Sequence, residues 1–112
     1  MLEDAVLKFM ITYSVRRDGL TAEQNIANSQ ALIKAFSKWK PDEGLKIHAY
    51  LGSVSGNGGF ILAETDDART ISAFAGKFLS WVSVRVEPVL DISESVGIGQ
   101  TALAWAAASA AD

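Results

Sequence analysis

The 112-residue chain has no cysteine and a single histidine, His48. Without thiols there is no disulfide framework, no thiolate nucleophile and no thiolate zinc or iron–sulfur site. One imidazole does not supply the histidine pair that most transition-metal sites use, although an oxygen-ligand magnesium or calcium site stays open. Basic charge is also scarce: 10 basic side chains face 13 acidic ones, for a formal charge of -3. That balance argues against non-specific affinity for nucleic acid or an anionic membrane. No apolar run reaches membrane-spanning length, and Met1-Leu2-Glu3-Asp4 is acidic where a signal peptide is basic. The expectation is a soluble, cytoplasmic protein of one domain over residues 1–112, with a core at about 6–91 and a C-terminal helix or tail at 92–112. A domain of this size buries only about 60–65% of its unfolded surface, so it packs economically or shares a core with another copy.

What is present is patterned. Residues 6–14 place Leu7, Phe9, Ile11 and Tyr13 at strict alternation, the period of a strand with one buried face. Thr21 followed by Gln24 is a capping-box pair, and the helix it opens carries Ala22, Ile26, Ser29, Leu32, Ile33, Phe36 and Trp39 on one expected side before Pro41 ends it. A second strand alternates Leu45, Ile47, Ala49 and Leu51 with Lys46, His48 and Tyr50. Asn57-Gly58 marks a tight hairpin leading to a third strand at 60–65. Asp66 or Asp67 suits the head of a second helix, where Ile71, Phe74, Ala75, Phe78 and Leu79 keep helical spacing. A fourth strand alternates Val82, Val84 and Val86 with Ser83, Arg85 and Glu87, and Pro88 suits its end or a sheet edge. The Ala-rich remainder, with Ile92, Val96, Leu103 and Trp105 as a sparse stripe and glycines at 97 and 99, reads as a helix that needs a surface to lean on and frays at its end.

The order β-α-β-β-α-β predicts an α+β, ferredoxin-like antiparallel sheet with both helices on one face. In the third strand, Phe60, Leu62 and Glu64 are assigned to the face without helices, because Glu64 beneath two helices would be an unpaired buried charge. That open face then mixes Met10, Thr12, His48, Tyr50, Phe60, Leu62, Glu64 and Arg85. So much apolar material outside the helix-facing set favours a twofold homodimer, two sheets face to face in a dimeric α+β barrel.

Three stretches carry a resemblance: Gly58-Gly-Phe-Ile-Leu-Ala-Glu-Thr-Asp-Asp67, Phe78-Leu-Ser-Trp81 and Val84-Arg-Val-Glu-Pro-Val-Leu-Asp91. Over roughly residues 7–91 the chain resembles a family of small uncharacterised bacterial proteins, a domain of unknown function in the dimeric α+β barrel superfamily. The resemblance implies the fold and a ligand cavity between sheets. It implies no activity, because that family has none to transfer and the superfamily ranges from cofactor-independent monooxygenases to isomerases.

Each candidate site has a plainer reading. His48 suits a general base oriented by Glu64 or Glu87, with Arg85 receiving an anion, but a hydrogen-bonded interface histidine explains it as well. Glu64, Asp66 and Asp67 cluster as oxygen ligands would, yet the two aspartates sit where a helix wants an acceptor. Gly97-Ile-Gly-Gln-Thr-Ala102 matches the letters of a dinucleotide loop without the strand before it or the βαβ unit around it. An RNA-recognition sheet would carry stacked aromatics and a basic residue on its central strands, whereas here Phe60 is the only aromatic of the third strand, Phe9 belongs to the helix-facing set and acidic residues outnumber basic ones. Trp39, Trp81 and Trp105 read as closures of the core edge or of an interface.

The functional expectation is a homodimer that binds a small organic molecule without a cofactor, metal, nucleic acid or membrane. Met10, Thr12, Tyr50, Phe60, Leu62, Glu64 and Arg85 are the expected ligand contacts and His48 the candidate catalytic group. The alternative is a cofactor-independent monooxygenase- or isomerase-like enzyme in the same cavity.

Overall fold

In the computed structural model, which describes residues 6–111, the alternating segments pair into one four-stranded antiparallel sheet. The elements run β1 (Leu7–Val15), α1 (Ala22–Lys38), β2 (Lys46–Gly52), β3 (Gly58–Thr65), α2 (Ala68–Phe78), β4 (Val82–Val89) and α3 (Ile92–Ala110). The sheet order β2-β3-β1-β4 puts β1 and β3 in the middle, which is the ferredoxin-like topology. The acidic stretch at residues 1–4 lies outside the described residues.

Alternation decides what each strand buries. Phe9 and Ile11 of β1, Ile61 and Ala63 of β3, and Val82 of β4 are buried with Leu32 of α1 and Ile71, Phe74 and Phe78 of α2. Phe36 of α1 stacks on Phe78 of α2 at 4.4 Å between ring centres, and Trp39 closes the same edge 5.1 Å from Phe74. Each fully buried side chain of this kind contributes about 1.5–3 kcal/mol over its exposed state. The assignment of Glu64 away from the helices agrees with this register, since Ile61 and Ala63 take the helix-facing positions.

The helix heads are set locally. Thr21 accepts from the Gln24 amide at 3.1 Å, while the Gln24 side chain accepts from the Thr21 amide at 2.9 Å, satisfying two amides that the first turn leaves free. At α2 it is Asp67 that caps, accepting from the Arg69 amide at 3.0 Å. The Arg69 guanidinium, 2.9 Å from the same carboxylate, holds Asp67 below the usual carboxylate range.

Three expectations are corrected. First, α1 turns Ile26 and Ile33 to solvent, and the apolar side chains it packs inward are Leu32, Ala35 and Phe36, followed by Trp39 at its end. The helix is narrow against the sheet, so only residues within about a quarter turn of Leu32 reach it, and Ile26 and Ile33 fall just outside that arc. Second, the β2–β3 hairpin does not turn on Asn57-Gly58: Gly56 carries the left-handed backbone, φ 79°, and Asn57 instead offers its carbonyl to the Val15 amide at 2.7 Å. Glycine is needed at 59 for a different reason, because a β-carbon there would collide with the Leu51 carbonyl and the Tyr13 ring. Third, α3 is helical through the Ala-rich segment to Ala110, and none of its residues is buried. Its projection gives the chain a radius of gyration of 18.9 Å and a longest extent of 66 Å, against a radius of about 13 Å for a compact chain of this length. Among the described residues no helix is long and apolar enough to cross a membrane.

Candidate functional site

The face of the sheet opposite α1 and α2 is organised in rows by strand register. One row crosses Leu51, Phe60, Thr12 and Arg85, and the next crosses Ala49, Leu62, Met10 and Glu87. A third crosses Lys46, Glu64, Lys8 and Val89. The middle of the face is therefore mostly apolar and one end is charged. His48 joins the charged end: its Nε2 lies 3.2 Å from Glu64 Oε1, and the two side chains are 29% and 24% exposed. In the tautomer that donates from Nε2, the Nδ1 lone pair is free, which is the arrangement of an imidazole oriented by a carboxylate.

A β-bulge brings this about. Register between β2 and β3 shifts between Ile47 and Ala49, so one extra residue, His48, is accommodated without a partner of its own. Because side chains alternate with period two, that extra residue inverts every side chain after it. Ala49 and Leu51, expected beneath the helices, lie on the open face, opposite Leu62 and Phe60. Tyr50, expected on the open face as a ligand contact, pairs with Ile61 and lies on the helix side. There it meets Phe36 edge-on at 5.8 Å and Tyr13 at 6.1 Å. Partial burial, together with the neighbouring Tyr13 phenol, pushes the Tyr50 hydroxyl well above the usual phenol range. Tyr50 is thus a packing residue, removed from the site. Tyr13 itself lies over Gly59, so the missing side chain at 59 leaves the space that the Tyr13 ring occupies.

The remaining candidates fall in two groups. Met10, Thr12, Phe60, Leu62, Glu64 and His48 share the face on three adjacent strands. Arg85 shares it too, but β4 and β2 are opposite edges of the sheet, three strand spacings or about 14 Å apart. Arg85 lies 3.4 Å from Glu87 on its own strand and is 80% exposed. Within one chain it therefore does not converge with His48, and of the two carboxylates considered as partners for the histidine it is Glu64 that meets it.

Two features of this face went unread in the sequence. Ala49 and Leu51 were hidden by the bulge. Lys8 reaches Asp91, at the head of α3, with 2.6 Å between ammonium and carboxylate, and that bond raises the lysine's pKa, with Glu64 adding to the effect. In a single chain the open face is a surface and not a pocket. A small, partly open recess of about 10 Å³ between Ile11, Tyr13, Phe36, Ile61, Phe74 and Phe78 lies on the helix side and has room for about one water. Asp67 is engaged by the α2 cap and Arg69, and among the described residues no three metal-ligating side chains cluster.

A family model described as a domain of unknown function, DUF3303, matches residues 7–103. No curated protein sequence matches the chain. Among solved structures the chain is similar to SnoaB, a cofactor-independent oxygenase from Streptomyces nogalater, at 11% identity and a TM-score of 0.44, covering 77% of this chain and 92% of that one. It is similar to a dimeric protein of unknown function and ferredoxin-like fold from Bacteroides fragilis, at 10% identity and a TM-score of 0.39, covering 77% and 96%. A third likeness, at 15% identity and a TM-score of 0.39, covering 77% and 97%, is to a conserved protein of unknown function from Bacteroides thetaiotaomicron described as a possible oxidoreductase.

Proposed function

Because the chain belongs to the DUF3303 family, whose description carries no activity, we propose a function from the site itself: the protein is a homodimer whose open sheet faces enclose a small organic molecule. The observation that carries this reading is the pair of apolar rows on the helix-free face. Leu51 and Phe60 remain 58% and 44% exposed although they stand side by side on adjacent strands, with Leu62 and Met10 in the next row. A sheet face of this composition is stable in water only at a cost of about 25 cal/mol for each Å² left exposed, and a second copy removes that cost symmetrically. The ligand that fits has an apolar body over Met10, Phe60 and Leu62. Its polar group meets Glu64 and His48 at the charged end, with Thr12 as a hydroxyl contact. Arg85 of the second copy supplies the positive charge that one chain leaves at its far edge.

The test uses anilinonaphthalene sulfonate, which combines an aromatic body with an anion. The native chain is expected to bind it saturably, with Leu62→Lys weakening binding at least tenfold. Non-saturable binding, or identical binding by Leu62→Lys, overturns the reading.

The geometry of His48 and Glu64 favours one further reading, a cofactor-independent enzyme of the monooxygenase or isomerase type. A histidine held by a carboxylate with its second nitrogen free is equipped to take a proton from a carbon acid. Deuterium exchange into an activated C–H compound in heavy water measures that step directly. The enzymatic reading expects exchange that falls at least tenfold in both His48→Ala and Glu64→Gln; exchange unaffected by either substitution rejects it.

A further inference from the structure

The helix α3 has no seat on its own domain, and we propose that it is an arm that docks on a second copy of the chain. The inference rests on the dimeric reading above for the identity of the occupant, and on α3 itself for the need of one. A 19-residue helix is about 28 Å long. Standing alone in water it is marginal, and glycines at 97 and 99 with β-branched Val96, Ile98 and Thr101 weaken it further. Its apolar side chains are well placed for docking nonetheless. Ile92, Val96 and Leu103 fall on one stripe at i, i+4 and i+11, and Ile98 and Trp105, seven residues apart, on a second, with small residues such as Ala102 and Ala106 filling the arc between. Leu103 and Trp105 are 71% and 72% exposed. The arc farthest from both stripes carries Ser93, Gly97, Ala104 and Ala108, while Glu94 and Thr101 border the stripe of Ile98 and Trp105.

Three observations identify that partner as another copy. The chain exposes 8108 Å², whereas a compact monomer of 11.9 kDa exposes about 5,900 Å². The difference, about 2,200 Å², exceeds the roughly 800 Å² that one partner gives to an interface of standard size. The open sheet face is common to any compact domain of this topology, so the projecting helix is the main departure from compactness. Next, the root of α3 is fixed at the edge of the open face: Asp91 does not cap the helix with its side chain but bonds Lys8, whose strand position lies in the row of Glu64. A copy seated on that face is therefore adjacent to the root of α3. Finally, Glu94 is the one charged residue between 92 and 111. A helix this poor in basic residues suits an apolar protein surface and does not suit an anionic bilayer.

The full chain carrying Val96→Lys with Leu103→Lys tests this by sedimentation equilibrium and far-ultraviolet circular dichroism over a concentration series. The expected results are a dimer dissociation constant raised at least tenfold and a loss of up to about two fifths of the helical signal, the share of α3's 19 residues beside the 17 and 11 of α1 and α2. Ala104→Lys, in the arc away from both stripes, should leave both readouts unchanged. If Leu62→Lys dissociates the dimer but the double α3 variant keeps native affinity and helix content, this inference falls and the dimeric reading stands. If the native chain is a monomer at all concentrations, or binds phosphatidylcholine vesicles as a monomer through α3, a second copy is not the occupant and the inference falls.

Discussion

Replacing Tyr50 by alanine separates the two sides of the sheet, because a bulge-free β2 and the observed β2 place this residue on opposite faces. In the structure the ring packs between Tyr13 and Phe36 on the helix side while 39% of the residue stays exposed. Truncating a fully buried aromatic costs about 3–5 kcal/mol. Reduced in proportion to the exposure, Tyr50→Ala should cost about 2–3 kcal/mol, including part of the roughly 0.5–1.5 kcal/mol that edge-on aromatic pairs add to burial. In a domain of this size that corresponds to a fall in Tm of about 8–20 °C. His48→Ala, on the other face, should cost less than Tyr50→Ala, about 0.5–1.5 kcal/mol, the size of its single hydrogen bond to Glu64. Urea titration followed by tryptophan fluorescence measures both. A Tyr50→Ala variant within about 0.5 kcal/mol of native, with its ligand binding impaired instead, would refute the bulge and return Tyr50 to the open face.

Other consequences follow from the same packing. Gly59→Ala should destabilise by at least about 1–3 kcal/mol, because both the Leu51 carbonyl of the paired strand and the Tyr13 ring must move, and a native-like melting temperature would contradict that close approach. Thr21→Ala should cost about 1 kcal/mol by breaking the reciprocal cap of α1, with Thr21→Ser restoring most of it; equal loss in both variants would show that the cap is not the cause. Toward alkaline pH the Tyr50 hydroxyl keeps a proton that the unfolded chain releases near pH 10. Its contribution is intact below about pH 10 and lost above it, so urea midpoints should fall over that range and fall less steeply in Tyr50→Phe. Toward acid the reverse holds for Asp67, whose lowered pKa gives stability that is present above about pH 4 and is lost as its carboxylate protonates; Asp67→Asn should flatten the acid limb.

Much of the architecture was legible because local signals and the global fold agree. The Thr21 and Gln24 pair marks the head of α1, and the spacing of Ile71, Phe74 and Phe78 marks the buried face of α2. Glu64 orients the whole of β3, since burying its charge would cost more than the alternative register gains. The bulge was not legible for a physical reason: alternation is a counting rule, and one inserted residue reverses it from Ala49 onward without changing the composition of the strand. The side of α1 was misread at Ile26 and Ile33 because an apolar side chain at helical spacing does not say how wide the seat beneath it is. The candidate site was accordingly legible for Met10, Thr12, His48, Phe60, Leu62 and Glu64, whose strand positions precede or avoid the inversion.

The central claim is the pairing of two open faces, and sedimentation equilibrium of the native chain beside Leu62→Lys tests it most directly. The account predicts twice the chain mass of 11.9 kDa for the native protein at micromolar concentration, falling to the single-chain mass when a lysine enters the apolar row. A native chain that sediments at the single-chain mass, or a Leu62→Lys variant as firmly dimeric as the native protein, would contradict it.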